Sequence, residues 1–383
     1  MSRTTWTLLM GAIVAVPVGA QQTVDFSGRT WSVTDPDAVV EQYLGREALR
    51  LRHGSAVLAD MEFENGVIEY DVATTGHRSF LGVAFRLRQS PRVEHEHFYL
   101  RPHQSGRFDA TQYTPEINGI AAWQLYPEYN APVDIPVDQW LHVRLVVRGS
   151  HMEVWVGDGA EPVQVVEDLR LGGGPGQIAL TSNFPQAATL AVHPTAFSNF
   201  RITPSPTQTV EPGGTQRASE PGVITSWALS EAVPGAPGQV TELDPADLES
   251  LSWEVVPTDA LGRVNVAEHR GFPEGARQGR VHARVVLRAE AAKVVPMAFG
   301  FSDRGSVFLN GRLVFTGDNT YLSRSGRYLG VMTARNDVLY LPLDAGENEL
   351  VFVVTEAFGG WGFVARLGEV DGIRVEAETG AGG

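Results

Sequence analysis

The densest set of groups able to hold a small polar molecule lies between Glu94 and Tyr129 (EHEHFYLRPHQSGRFDATQYTPEINGIAAWQLYPEY). Its first part alternates. With Phe98 and Leu100 directed to a core, His97, Tyr99, Arg101 and His103 share the opposite face of a strand. Arg86, in the preceding run FLGVAFRLR (80–88), stands opposite the apolar set Leu81, Val83, Phe85 and Leu87, and is expected beside His97. After Pro102 the segment reads as a long loop folding over that face. It carries Gln104, Asp109, Gln112, Tyr113, Asn118, Trp123, Gln124 and Tyr126, with Trp123 or Tyr126 as a wall. Aromatic faces beside planar amide and guanidinium groups match the flat apolar patches and edging hydroxyls of a sugar ring. The expected ligand-binding set is therefore Arg86, His97, Tyr99, Arg101, His103, Gln112, Tyr113, Trp123, Gln124 and Tyr126, and the expected partner a carbohydrate or glycoside. The plainer alternative is a solvated strand face under a packed loop, but long loops with this many aromatics are more often functional.

Other chemistries fit the sequence less well. Glu94, His95, Glu96, His97 and His103 offer imidazole and carboxylate at alternating positions, yet no complete metal-ligand spacing appears and no metal set is expected. The chain has no cysteine, so thiolate ligands and thiol redox chemistry are excluded. Glu69-Tyr70-Asp71-Val72-Ala73-Thr74 begins like the Glu-x-Asp-x-x-Glu of retaining glucanases but ends in Thr74, leaving one carboxylate short. Gly300-Phe301-Ser302-Asp303-Arg304 lacks the last glycine of a nucleophile elbow. The run Gly172-Gly173-Gly174-Pro175-Gly176 lacks the lysine of a phosphate loop and reads as a turn.

The elements that must position these groups are strands. Ile68, Tyr70 and Val72 alternate, as do Leu141, Val143, Leu145 and Val147, then Met152, Val154 and Val156 after a Gly149-Ser150 hairpin signal. Further on, Val281, Ala283, Val285 and Leu287 face one way, and Asn348 to Thr355 forms a mostly apolar strand. VFLNGRLVF (307–315) places Asn310-Gly311 at a two-residue turn that needs positive φ twice. Helical candidates reduce to short pieces at Asp37–Tyr43 and Asp244–Leu251. Trp361, between glycines, is expected in a core, with ligand stacking as the alternative. Asp303, Asp318, Asn319 and Tyr321 are placed in loops as a weaker edge site. With 41 Gly and 23 Pro in 383 residues and no repeat, the fold class is all-β: two β-sandwich (jelly-roll) domains.

A stretch rich in Pro, Thr and Gly, Thr203 to Pro221, has no aromatic residue and reads as the linker between a domain at 21–202 and another at 222–378. Residues 1–20 read as a signal peptide: Arg3, the apolar run Thr7 to Val18, and small residues Val18-Gly19-Ala20 before Gln21. That run is shorter than the ~20 residues that cross a bilayer, so a secreted or periplasmic protein with no membrane span after signal removal is expected. A formal net charge of −15 opposes binding to nucleic acid.

Two resemblances accompany this pattern. FENGVIEYDV (63–72), FLGVAFRLR (80–88), WLHVR (140–144), MEVWVGD (152–158), GQIAL (176–180) and FSNFRI (197–202) resemble the concanavalin A-like lectin/glucanase superfamily, including laminin-G-like and keto-glycoside hydrolase domains. VFLNGRLVF (307–315), LPLDAGENELVFVV (341–354) and FGGWGFVARL (358–367) resemble the galactose-binding-like jelly roll of accessory domains in exported glycosidases. The resemblances imply a carbohydrate-binding or accessory protein, with a structural Ca²⁺ as an optional cofactor and no other. The alternative they imply is a glycoside hydrolase, glucanase-like or keto-glycoside hydrolase-like, in which His97, Glu96 or Glu69 supplies acid–base chemistry.

Overall fold

The computed structural model describes residues 22–183, 194–205 and 221–378. The signal peptide expected at 1–20, and most of the linker expected at 203–221, lie outside the described residues. The chain divides into two compact units. Among the described residues, one holds 22–119, 128–183 and 194–205, the other 120–127 and 221–378. The segment 120–127, read from sequence as part of the first domain, thus belongs to the second unit.

The first unit is a sandwich of two antiparallel sheets. One runs Gln22–Phe26, Arg29–Val33, Gly54–Leu58, Gln177–Asn183, Phe80–Arg88, Glu94–Leu100 and Thr111–Ile117, with Asn130–Ala131 paired to the last. The other runs Gln164–Val166, His151–Val156, Leu141–Arg148, Gly66–Ala73, Thr195–Pro204, Arg46–Leu51 and Val39–Tyr43. Alternate residues of both sheets meet in a single buried core. Leu81, Val83, Phe85, Phe98 and Leu100 come from the first; Ile68, Tyr70, Val72, Leu141, Val143, Leu145, Val147, Met152, Val154 and Phe197 come from the second. Two details depart from the sequence reading. Asp37–Tyr43 contributes a strand at Val39–Tyr43 instead of a helix, because Val39–Tyr43 completes backbone hydrogen bonds against Arg46–Leu51. Leu87 does not join Leu81, Val83 and Phe85; a bulge after Phe85 turns it to the opposite side, with Val57, Ala84, Val93 and Ala179.

The second unit is a sandwich of the same kind. Its larger sheet runs Trp253–Pro257, Ser226–Ser230, Gly279–Ala289, Gly346–Glu356, Arg304–Leu309 and Arg312–Asp318. The smaller runs Arg263–Asn265, Gly362–Leu367, Lys293–Ser302 and Asp337–Leu343. Aromatic contacts join the sheets: Trp227 lies 5.1 Å from Phe363, and Phe299 lies 5.7 Å from Phe352, ring centre to ring centre. Asn310 and Gly311 both take positive φ, 51° and 72°, at the expected hairpin turn. A helix forms at Pro245–Ser250, capped by the Asp244 carboxylate accepting from the Ala246 amide. Trp361 is buried, its indole N–H donating to the Val354 carbonyl, which makes it a core residue. No helix among the described residues is long and apolar enough to cross a membrane.

Candidate functional site

Strand register brings part of the expected set together on the outward face of the first unit's first sheet. Tyr99 sits between Gly82 and Gln112, and His97 between Ala84 and Thr114; His95 pairs with Glu116. Gly82 is required there, because a Cβ would stand 2.7 Å from the Tyr99 Cα. With Gly82 and Ala84 as neighbours, the Tyr99 and His97 rings can spread over the sheet. Tyr99 Oη donates to Gln112 Oε1 at 2.7 Å; Arg101 Nη2 donates to the same oxygen and to Tyr99 Oη. Arg101 Nη1 donates to Asp109 Oδ2 at 3.1 Å. The His97 ring stands 5.1 Å from Tyr99, and its Nε2 is 2.9 Å from Thr181 Oγ1. Phe80 meets Tyr99 edge-on at 5.7 Å and His103 at 5.5 Å. Four of the expected residues, His97, Tyr99, Arg101 and Gln112, therefore form one cluster on this side of the sheet, with His103 at its end; Tyr99, Arg101 and Gln112 are each no more than 4% exposed, and His97 and His103 are half-buried.

This surface is nearly uncharged at neutral pH. Burial holds the His97 imidazole down to about 3 and that of His103 to about 4, with Arg78 and Arg101 adding to the latter. Burial, and then His97, keep His95 well below the ordinary imidazole range. Burial pushes Glu116 up to about 8, so its carboxyl retains its proton. Arg101 and Asp109 are the paired charges of this surface. Several buried polar atoms on it have no protein partner: His95 Nδ1, His103 Nδ1, Arg101 Nε and Glu116 Oε1. Glu116 was missed in the sequence. Extending the alternation through Gln112 and Thr114 would have placed it on this face.

Five expected residues lie elsewhere. Arg86 occupies the bulge with φ 52°, and its fully buried guanidinium bonds the carbonyls of Glu64, Gly149 and Gly172 and Asn65 Oδ1. It is a structural clip, since the bulge breaks the alternation that would have set it beside His97. Tyr113 belongs to a strand and faces the core, where its hydroxyl donates to Glu96 Oε2 at 2.6 Å. Trp123, Gln124 and Tyr126 pack inside the second unit. Trp123 meets Tyr321 edge-on at 5.8 Å and Phe358 at a tilt at 6.0 Å. Gln124 accepts from Ser302 Oγ and donates to the Leu329 carbonyl, and Tyr126 Oη accepts from Asn265. The hydrogen-bond partners of the amide and the phenol, and the rings around Trp123, are remote in sequence, which no local pattern reveals.

The acid–base candidates do not converge either. Glu96 points inward between Tyr113 Oη and the Leu171 amide, and Glu69 lies on the other sheet. Among the described residues, no group of three or more His, Asp or Glu is placed to hold a metal ion.

No family model matches the chain, and no curated protein matches it. Solved structures do. The carbohydrate-binding module CBM66 from Bacillus subtilis is similar over 44% of this chain and 92% of its own, at 14% identity and a TM-score of 0.32. A β-glucanase from Bacillus licheniformis is similar over 50% and 100%, at 10% identity and a TM-score of 0.34. A family 35 carbohydrate-binding module from an environmental isolate is similar over 40% and 94%, at 15% identity and a TM-score of 0.22. The assignment of two sandwiches rests on the strand pairing and shared cores described above.

Proposed function

We propose that the chain is an exported carbohydrate-binding protein whose ligand is an uncharged sugar, held on the outward face around His97, Tyr99, Arg101 and Gln112. One observation carries the reading: the face combines rings with hydrogen-bonding groups that burial keeps neutral. Neutral imidazoles and a protonated carboxyl each donate and accept, which suits hydroxyls; an ionic ligand would favour fixed charge of one sign. Export rests on the apolar run Thr7 to Val18 followed by Val18-Gly19-Ala20.

A second reading, glycoside hydrolysis on the same face, is favoured by Glu116, whose raised value suits a general acid near neutral pH. One experiment separates the two. Exported protein, with Gln21 expected first on N-terminal sequencing, is screened on a glycan array, and every hit is incubated and assayed for released reducing sugar. Tyr99→Ala should weaken binding by roughly 1–3 kcal/mol. Binding without product supports the lectin reading. Product that disappears in Glu116→Gln supports hydrolysis. Binding unaffected by Tyr99→Ala moves the ligand off this face.

A further inference from the structure

The outward face of the other sheet of the first sandwich carries a second constellation, and it is built around Asp71. This carboxylate is nearly buried and collects donors from three neighbouring strands. His142 Nδ1 donates to Oδ1 at 2.8 Å, Asn199 Nδ2 donates to Oδ2 at 2.6 Å, and Arg46 Nη1 donates to Oδ2 as well. Register sets His142 directly across from Asp71 on one side and Ser198 on the other. Asn199 reaches Asp71 from a bulge, with φ 50°, a left-handed conformation that asparagine tolerates better than most residues. Strain of this kind is retained where the surroundings over-determine it.

The arrangement fixes His142 while leaving it accessible. With Nδ1 anchored on Asp71, Nε2 is directed away from that carboxylate and lies 3.8 Å from Glu69 Oε1; the His142 side chain is 44% exposed. Beside it are two rings. Trp140 and Tyr43 pack on a floor of three buried alanines, Ala48, Ala73 and Ala196. They meet edge-on at 6.1 Å, and the Trp140 N–H donates to the Leu44 carbonyl. The Arg46 guanidinium lies over the Trp140 ring, 5.4 Å from its centre, so a ligand on this ring would share it with that cation. Both rings are partly buried, and the Arg50 guanidinium lies over the Tyr43 ring, 4.6 Å from its centre. A plain solvated face would need neither the alanine floor nor a carboxylate shared by three donors.

We propose that this face is a second carbohydrate site, taking a neutral hexopyranose unit stacked on Trp140, with its hydroxyls bonded by His142 Nε2 and Glu69. The chemistry is that of a small apolar platform edged by an imidazole, a carboxylate and a guanidinium, each already oriented. The site is independent of the one around Tyr99, since it lies on the other sheet and uses none of its residues.

The test follows the Trp140 indole N–H of the ¹⁵N-labelled full chain, identified by its loss in Trp140→Phe, during titration with cellohexaose, laminarihexaose and mannohexaose. At least one should shift it. His142→Ala should weaken that response roughly tenfold or more while the melting temperature holds, and Tyr99→Ala should leave it unchanged. A Trp140 signal unmoved by all three sugars overturns the proposal, as does an equal response in His142→Ala. A response abolished by Tyr99→Ala would show one site instead of two. Because Tyr99→Ala also reports on the first face, loss of binding there with Trp140 still responding would separate the two claims.

Discussion

The two outward faces of the first sandwich are built by the same alternation and end in opposite electrostatic states. Around Tyr99 the buried groups that lack an opposite charge beside them are held neutral, His97 at about 3 and Glu116 at about 8, while Arg101 and Asp109 remain as a buried pair. Around Asp71 the carboxylate stays paired with Arg46 and His142, and the partners reach solvent. The difference teaches that strand periodicity decides only which side a residue takes. Depth, together with whether an opposite charge lies within reach, then decides whether it is a charge or a neutral hydrogen-bonding group.

The largest effect tests the layer that both faces share. Phe98→Ala empties a fully buried ring site between the sheets and should cost about 3–5 kcal/mol in denaturant unfolding. A loss near zero would mean that the strand is turned over and the two faces are misassigned.

The next test sharpens the electrostatic contrast. Because the folded value of Glu116 lies above its ordinary 4.5, its contribution is fully present below pH 4.5 and is lost as pH rises toward about 8. Stability should fall through that window by up to about 1.4 kcal/mol per pH unit from this group. Glu116→Gln should flatten the slope. His97 works in the opposite sense: its contribution is complete above 6.5 and is lost as pH falls toward about 3. A pH profile that Glu116→Gln leaves unaltered would break the contrast.

The smallest effect belongs to the exposed side. Arg50 and Glu41 form a 2.6 Å ion pair in partial solvent, and Glu41→Ala should change the unfolding free energy by no more than about 0.5 kcal/mol. A larger loss would show that this face is less hydrated than its exposure implies.

Much of this was legible in the sequence. The inward sets at Ile68, Tyr70 and Val72, and at Leu141, Val143, Leu145 and Val147, follow directly from period two, and so do Phe98 and Leu100. The failures share a cause. Arg86 and Leu87 were misplaced because a bulge shifts the parity of every residue after it. Tyr113 falls in the stretch after Pro102 that reads as a loop, yet a strand runs there from Thr111 to Ile117. Trp123, Gln124 and Tyr126 gave no local sign that their partners stand more than a hundred residues away, at Ser302, Tyr321 and Asn265.

Arg86 has a consequence for how the first sandwich opens. One guanidinium holds the turns at Glu64, Gly149 and Gly172, which are separated from it by 22, 63 and 86 positions along the chain. Releasing any one of them leaves a buried cation short of acceptors, so the three turns gain nothing by fraying separately. That end of the domain should therefore open as a single cooperative unit, with its amide protons exchanging together.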